Sequence, residues 1–248
     1  MIRTVIWFIY FWLYLLKSVP SLINVKRLRK NNKNEEADAR IKYESNKWAR
    51  SLVKLSGARV HVHGKEKIPT NETLLIVCNH QGNFDIPIIL GYLDLKISFI
   101  SKVEVKKLPL IASWMEEMNC VFMDRKNKRQ SIKSIIDGAE NLKNGHHLVI
   151  FPEGTRSKGG PVGTFKQGSF KLATRSGATI LPVTINGSYN IMEANGNLLK
   201  PCDVDVTILD PVRIHHQQKD MDGIALANYV QEHIKKELNP IVGLKENV

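Results

Sequence analysis

A chain of 248 residues with a formal net charge of +12 is long enough for one sizeable α/β domain plus an appendage. Its three cysteines, Cys78, Cys120 and Cys202, are widely spaced and odd in number. That excludes a disulfide framework and a cysteine metal site, and it favours a reducing compartment. The charge is uneven: residues 1–60 carry 13 Lys/Arg against 4 Asp/Glu. A basic end of this kind suits nucleic acid or an anionic lipid surface.

The first predicted element decides between those partners. Val5 to Leu16 is unbroken by charge, is bracketed by Arg3 and Lys17, and holds six aromatic residues. As a helix over 4–16 it reaches about 20 Å at ~1.5 Å per residue, short of the ~30 Å core of a bilayer. Trp and Tyr prefer the headgroup boundary. Shallow insertion or a short re-entrant anchor is therefore expected rather than a full span, with Pro20 kinking any continuation towards Val25. The basic residues cluster beside this apolar helix and on no recognised reading module, so membrane lipid, especially anionic lipid, is the expected partner and nucleic acid is not. No small-x-small cleavage site follows, which argues against a removed signal peptide.

Lys26 to Asn34 reads as a basic, Asn-rich connector. Residues 35–56 read as a helix closed by Gly57. Its apolar stripe runs through Ala37, Ile41, Trp48, Leu52 and Leu55, with Arg40, Lys42, Lys47, Arg50 and Lys54 largely off it. Such a helix suits a membrane surface or packing on the rest of the chain. Residues 1–57 are thus expected to form a two-helix, membrane-associating segment, and residues 58–248 an α/β domain.

From Ala58 onward, strands are predicted over 59–63, 73–78, 96–100, 120–123, 147–151, 179–184 and 203–209. Helices are predicted over 84–93, 108–118, 130–143, 167–176 and 221–237, with a frayed tail after Asn239. This alternation argues for a mostly parallel central sheet flanked by helices. In such sheets the loops after the strands gather at one edge and build the site.

Three of those loops carry reactive side chains. After the strand ending at Cys78 come Asn79-His80-Gln81-Gly82-Asn83-Phe84-Asp85. One turn of chain can bring Asp85 back onto His80, where a carboxylate on one ring nitrogen leaves the other free to take a proton. The pair alone also suits an ordinary polar loop. Asn119 to Arg125 ends another strand with an arginine, and Phe151-Pro152-Glu153-Gly154-Thr155-Arg156-Ser157 ends a third. Arginine's planar fork suits phosphate. The residues suggest a general base beside a phosphate-binding pair. The remaining histidines, His61, His63, His146, His147, His215, His216 and His233, read as surface or structural, with no companion at metal-ligand spacing.

With these loops, and with Leu181-Pro182-Val183, the chain resembles the glycerolipid acyltransferases, which carry four such motifs in this order. It is most similar to the bacterial 1-acyl-sn-glycerol-3-phosphate acyltransferase type, over roughly residues 60 to 210. Ser101-Lys102-x-Glu104 and Phe165-Lys166-Gln167-Gly168 also fit the pattern; Met123 stands where the family often has Ile.

The resemblance implies transfer of an acyl group from a thioester, acyl-CoA or acyl-carrier protein, onto the free sn-2 hydroxyl of lysophosphatidate. The product is phosphatidate, made in phospholipid biosynthesis at the cytoplasmic face of the inner membrane. It implies His80 as base, Asp85 as its orienting partner, no metal, and no cofactor beyond the co-substrate. Arg125 and Arg156 would clamp the acceptor's phosphate. Lys102 adds charge or pairs with Glu104. Glu153 bonds the acceptor or holds its loop, and Thr155 and the Gly154 amide donate to phosphate or to the developing oxyanion. Pro182 is expected at a strand end near the donor, or on an edge strand. A sister acyltransferase for another lysophospholipid or glycerol 3-phosphate is the nearest alternative, and a non-enzymatic anionic-lipid binding protein is the alternative of another class.

Overall fold

A computed structural model describes residues 1–214 and 223–238. The predicted start of the last helix at Met221, the loop histidines His215 and His216, and the tail after Asn239 fall outside the described residues.

The chain opens with α1 (Ile2–Lys17) and α2 (Val19–Lys30), then α3 (Asn34–Ser56). α1 and α2 form one bent apolar rod of 29 residues, Ile2–Lys30. The bend falls at Ser18, just before Pro20, whose missing N–H breaks the helical ladder. The Ser18 hydroxyl donates to the Leu15 carbonyl at 2.7 Å and accepts from Trp114 Nε1 at 2.9 Å. The expected basic connector is therefore shorter than its composition suggested: Lys26 to Lys30 are helical, and only residues 31–33 link α2 to α3. Lys and Arg are good helix formers, so basic composition alone does not mark a loop.

The domain proper comprises β1 (Arg59–His63), β2 (Leu74–Cys78), α4 (Asp85–Tyr92), β3 (Ile97–Lys102), α5 (Pro109–Glu117), β4 (Val121–Met123) and α6 (Lys128–Lys143). It continues with β5 (His147–Ile150), α7 (Gln167–Ser176), β6 (Thr179–Asn186), β7 (Asp203–Ile208) and α8 (Gly223–Leu238). The seven strands form one sheet in the order β1-β7-β6-β2-β5-β3-β4. Every neighbouring pair is parallel except β6–β7. β2 to β6 thus point one way, and their C-terminal ends share one edge.

β2 explains why the sheet needs two helical layers. All five of its residues are buried. Leu74, Ile76 and Cys78 face one core with α1, α3 and α4, through Trp7, Ile41, Leu52, Ile88 and Ile89. Leu75 and Val77 face the other core, with Leu142, Phe170, Leu172, Val230 and Ile234 of α6, α7 and α8. A strand covered on both faces reads as a continuous apolar run. The apolar stripe of α3 points inward, with Ala37, Ile41 and Leu52 essentially inaccessible. It is a packing stripe, and the N-terminal helices share their core with the sheet.

Pro182 departs from both of its expected placements. It is buried within β6, an interior strand, opposite Val77 of β2. Its carbonyl accepts the Leu209 N–H at 3.0 Å, beside the first β6–β7 pair, Val183 with Ile208.

Candidate active site

The site begins where β2 runs out. Asn79 turns the chain: its side chain donates to the Ile185 carbonyl (2.9 Å) and accepts the Ile185 N–H (2.8 Å), tying the end of β2 to β6. The loop then doubles back so that Asp85, in the first turn of α4, meets His80. His80 Nδ1 lies 2.6 Å from Asp85 Oδ2. The same oxygen accepts the N–H groups of Gln81 (2.6 Å) and Gly82 (3.0 Å). The Ser188 hydroxyl donates to Oδ1. Asp85 is wholly buried, and the His80 side chain is 17 % exposed. A carboxylate gripped by four donors is held in one orientation. It fixes the imidazole with Nδ1 as donor and leaves Nε2, which has no partner among the described residues, open as an acceptor. Phe151 stacks on the imidazole, ring centroids 4.2 Å apart, so the ring is held on its face as well as its edge.

Glu153 fastens two loops. Its Oε1 accepts the His80 N–H at 2.6 Å, and its Oε2 accepts the Gly163 N–H at 2.8 Å. Burial pushes its carboxyl above the usual range, against the two backbone donors that pull it down. Both oxygens thus accept backbone donors, which is the loop-holding arrangement. The chain beyond is fastened too, with the Ser157 N–H on the His80 carbonyl at 2.7 Å.

The cations converge on the Gly154 turn. Arg125 donates to the Gly154 carbonyl, and among the described residues it forms no ion pair with Asp124 or Glu104. Arg156 donates to the Asn83 side-chain oxygen and lies 3.4 Å from Glu193 Oε1. Gly154 has φ +71°, and a Cβ there would stand 2.5 Å from Lys166 Nζ. The glycine is needed for its left-handed backbone, and the Lys166 ammonium lies on its open side. Lys166 thereby joins Arg125 at the turn. Lys102 ends β3 exposed and without an ion pair among the described residues, so it does not pair with Glu104. The Gly154 amide is not a free donor, because its N–H closes the turn onto the Phe151 carbonyl at 3.1 Å. The Thr155 amide and hydroxyl, without partners among the described residues, remain available.

Two site residues went unread in the sequence, Ser188 and Glu193. Both lie beyond β6, in short 3₁₀ turns over Ser188–Ile191 and Glu193–Asn195. Glu193 Oε1 accepts the Asn83 N–H at 2.6 Å, and its Oε2 is buried without a partner among the described residues. Their only local signal was Gly187, at φ +98°, marking a turn at the site edge of the sheet. The cysteines take no part: burial pushes the Cys78 thiol up, and Cys120 to about 12, where neither supplies a thiolate. His61 and His63 pair across strands with Asp203 (3.2 Å) and Asp205 (3.1 Å) on an exposed face.

A family model described as Acyltransferase matches residues 59–186. The chain is 34 % identical over 165 residues to the chloroplastic 1-acyl-sn-glycerol-3-phosphate acyltransferase LPAT1 of Arabidopsis thaliana, covering 66 % of this chain and 46 % of that protein. It therefore spans less than half the length of that plant relative. It is 32 % identical over 193 residues to a probable 1-acyl-sn-glycerol-3-phosphate acyltransferase of Mycoplasma pneumoniae, covering 75 % of this chain and 71 % of that one. The crystal structure of the 1-acyl-sn-glycerophosphate (LPA) acyltransferase PlsC from Thermotoga maritima superposes with a TM-score of 0.84 at 28 % identity, over 99 % of this chain and 97 % of the other.

Proposed function

This chain belongs to the acyltransferase family, and on that premise we propose that it acylates the sn-2 hydroxyl of 1-acyl-sn-glycerol 3-phosphate, using an acyl thioester as donor. The observation that carries the reading is the His80–Asp85 pair, 2.6 Å apart with the carboxylate fully buried, beside a turn where Arg125, Arg156 and Lys166 gather. The names of the plant, mycoplasma and Thermotoga relatives support the same acceptor.

The chemistry follows from those parts. The acceptor hydroxyl is a weak nucleophile until its proton is taken. His80 Nε2 accepts that proton as the oxygen bonds to the thioester carbonyl carbon. The imidazolium that forms faces the Asp85 carboxylate. The tetrahedral adduct then collapses, the carbon–sulfur bond breaks, and the leaving thiolate takes the proton back from Nε2. The products are phosphatidate and a free thiol. The arginines hold the acceptor's phosphate so that its hydroxyl stands at Nε2. Glu153 keeps the His80 backbone and the following loops in register. The Thr155 donors serve the phosphate or the developing oxyanion. No metal and no cofactor beyond acyl-CoA or acyl-carrier protein takes part in this scheme.

The bent N-terminal rod supports membrane attachment. Trp7, Leu15, Leu22 and Val25 pack inward, while Val5, Ile6, Ile9, Leu13 and Leu16 on the other side are at least half exposed. At 29 residues the rod is longer than the 4–16 helix expected, and long and apolar enough to cross a bilayer; its one buried face favours lying along the surface. Basic residues beside it add attraction to anionic lipid, and free thiols fit the cytoplasmic face of the inner membrane.

The test is an acyl-transfer assay on the purified full chain with a panel of lyso-acceptors and glycerol 3-phosphate, and with both donor types. Lysophosphatidate should give the highest kcat/KM, and His80→Ala should lower kcat by about 10²–10⁴ with unchanged melting. Equal turnover by His80→Ala would overturn the mechanism. Preference for another acceptor would reassign the substrate.

A further inference from the structure

We propose that Ser188 is a positioning residue of the His80–Asp85 pair, holding the far oxygen of the carboxylate so that the near one stays on the imidazole. The inference rests on the acyl-transfer reading above and extends the machinery to a segment outside its four motifs. Asp85 is wholly buried, and three N–H donors converge on one of its two oxygens. The other has a single donor among the described residues, the Ser188 hydroxyl. Ser188 is itself inaccessible to solvent. Without that donor the carboxylate keeps a bare, buried oxygen. It then rotates about its Cβ–Cγ bond, trading the His80 contact for burial relief.

The turn that delivers Ser188 is built for this purpose. Gly187 has φ +98°, and a Cβ there would lie 2.7 Å from the Asp203 carbonyl oxygen, so only glycine lets the chain turn so tightly against β7. The Gly187 N–H donates to the Gln81 side-chain oxygen at 2.9 Å, and the Ser188 hydroxyl stands 3.4 Å from the same oxygen. Gln81 and Asp85 therefore grip the turn from both sides. Ser188 lies more than a hundred residues downstream of the pair it supports, and β6 brings it there because β6 is the direct neighbour of β2. Its hydroxyl touches neither His80 nor any position open to substrate, so it acts through Asp85.

The experiment compares Ser188→Ala, Ser188→Cys and Ser188→Thr in the full-length protein, solubilised in detergent. Steady-state transfer onto lysophosphatidate is measured alongside the low-field proton resonance of the His80 Nδ1–H. Ser188→Ala should lower kcat about tenfold, the worth of one hydrogen bond to a charged group, with KM for both substrates unchanged. The resonance should broaden or move upfield. Ser188→Thr, which restores a hydroxyl, should recover both; Ser188→Cys, a weak donor of similar volume, should stay impaired. If Ser188→Ala melts early, the cysteine variant carries the comparison. Parental kcat and an unmoved resonance in either donor-poor variant would overturn the proposal, as would a loss confined to KM. The resonance needs no substrate, so Ser188 is judged even if the parent protein fails to acylate lysophosphatidate, an outcome that would sink the functional reading instead.

Discussion

Replacing Asp85 with asparagine removes a charge and little else. Three N–H donors converge on Oδ2, so an asparagine fits only with its amide oxygen in that place. Its NH₂ then faces Ser188, whose hydroxyl can turn and accept. The hydrogen-bond count survives, and the fold should lose no more than about 1 kcal/mol. On the proposed mechanism, the loss falls on the imidazolium formed when His80 takes the acceptor's proton. Unit charges 2.6 Å apart attract by about 6 kcal/mol at an effective dielectric near 20. The amide dipole recovers part of this, leaving about 3–5 kcal/mol, or about 10²–10⁴ in kcat. The assay follows thiol release from an acyl thioester with lysophosphatidate saturating, with thermal melting run in parallel. Turnover close to the parent's in a variant that melts normally would refute the charge argument, whereas early melting would show that the amide is not accommodated.

Gly154→Ala forces an L-residue to φ +71° and drives its Cβ into Lys166; it should cost about 1–2 kcal/mol in melting and raise KM for lysophosphatidate as the ammonium moves. Arg125→Ala should reduce kcat/KM by about 10- to 100-fold, chiefly through acceptor KM. Arg156→Ala should also lower kcat, because Arg156 holds Asn83 of the histidine loop; identical effects of the two would argue against separate duties. His147 Nδ1 accepts the Leu74 N–H at 3.1 Å, and burial, with Lys96 beside it, pushes the imidazole below its usual 6.5. The unfolded chain therefore takes up this proton first, so stability present above pH 6.5 should drain away as pH falls from there towards the folded value, and His147→Gln should flatten that part of a melting-versus-pH curve. Changing Ile6, Ile9, Leu13 and Leu16 to asparagine should make vesicle binding salt-sensitive without altering the melt, as these side chains project outward.

The sequence was most legible where periodicity and local spacing carry the information. β1 and α7 fall where their patterns end, because Gly64 and Gly177, both at positive φ, mark the stops. His80 and Asp85 were readable as a pair because five residues and one turn suffice to bring them together. What stayed hidden depends on which strands become neighbours. Ser188 and Glu193 reach the site only because β6 lies against β2, and nothing near either residue advertises a partner over a hundred positions away. Glu153 was readable either as a ligand for the acceptor or as a brace for its own loop, but its actual partners, the His80 and Gly163 amides, were hidden, since no side-chain pattern encodes a backbone donor. Pro182 misled for a related reason: a proline argues for an edge strand, and the sheet order puts it in the interior.

The N-terminal rod packs against the segments that position Asp85, which bears on how its contribution and theirs can be separated. Trp7 of α1 donates through Nε1 to the Leu52 carbonyl at 2.8 Å, and its ring lies 5.4 Å from that of Phe84. Phe84 is the residue immediately before Asp85 and is itself buried. Nearby, the Thr4 hydroxyl accepts the Leu199 N–H at 2.9 Å, in the segment that follows Ser188 and Glu193. Removing residues 1–17 would therefore uncover Phe84, strand a buried amide and loosen both segments that position Asp85. Burial of a tryptophan alone is worth about 3–5 kcal/mol against truncation to alanine, a large share of a domain's stability. Loss of activity in such a deletion would report on the catalytic loop as much as on lipid. Outward-facing substitutions on α1 separate the two, because they alter what the rod touches and leave what it supports in place.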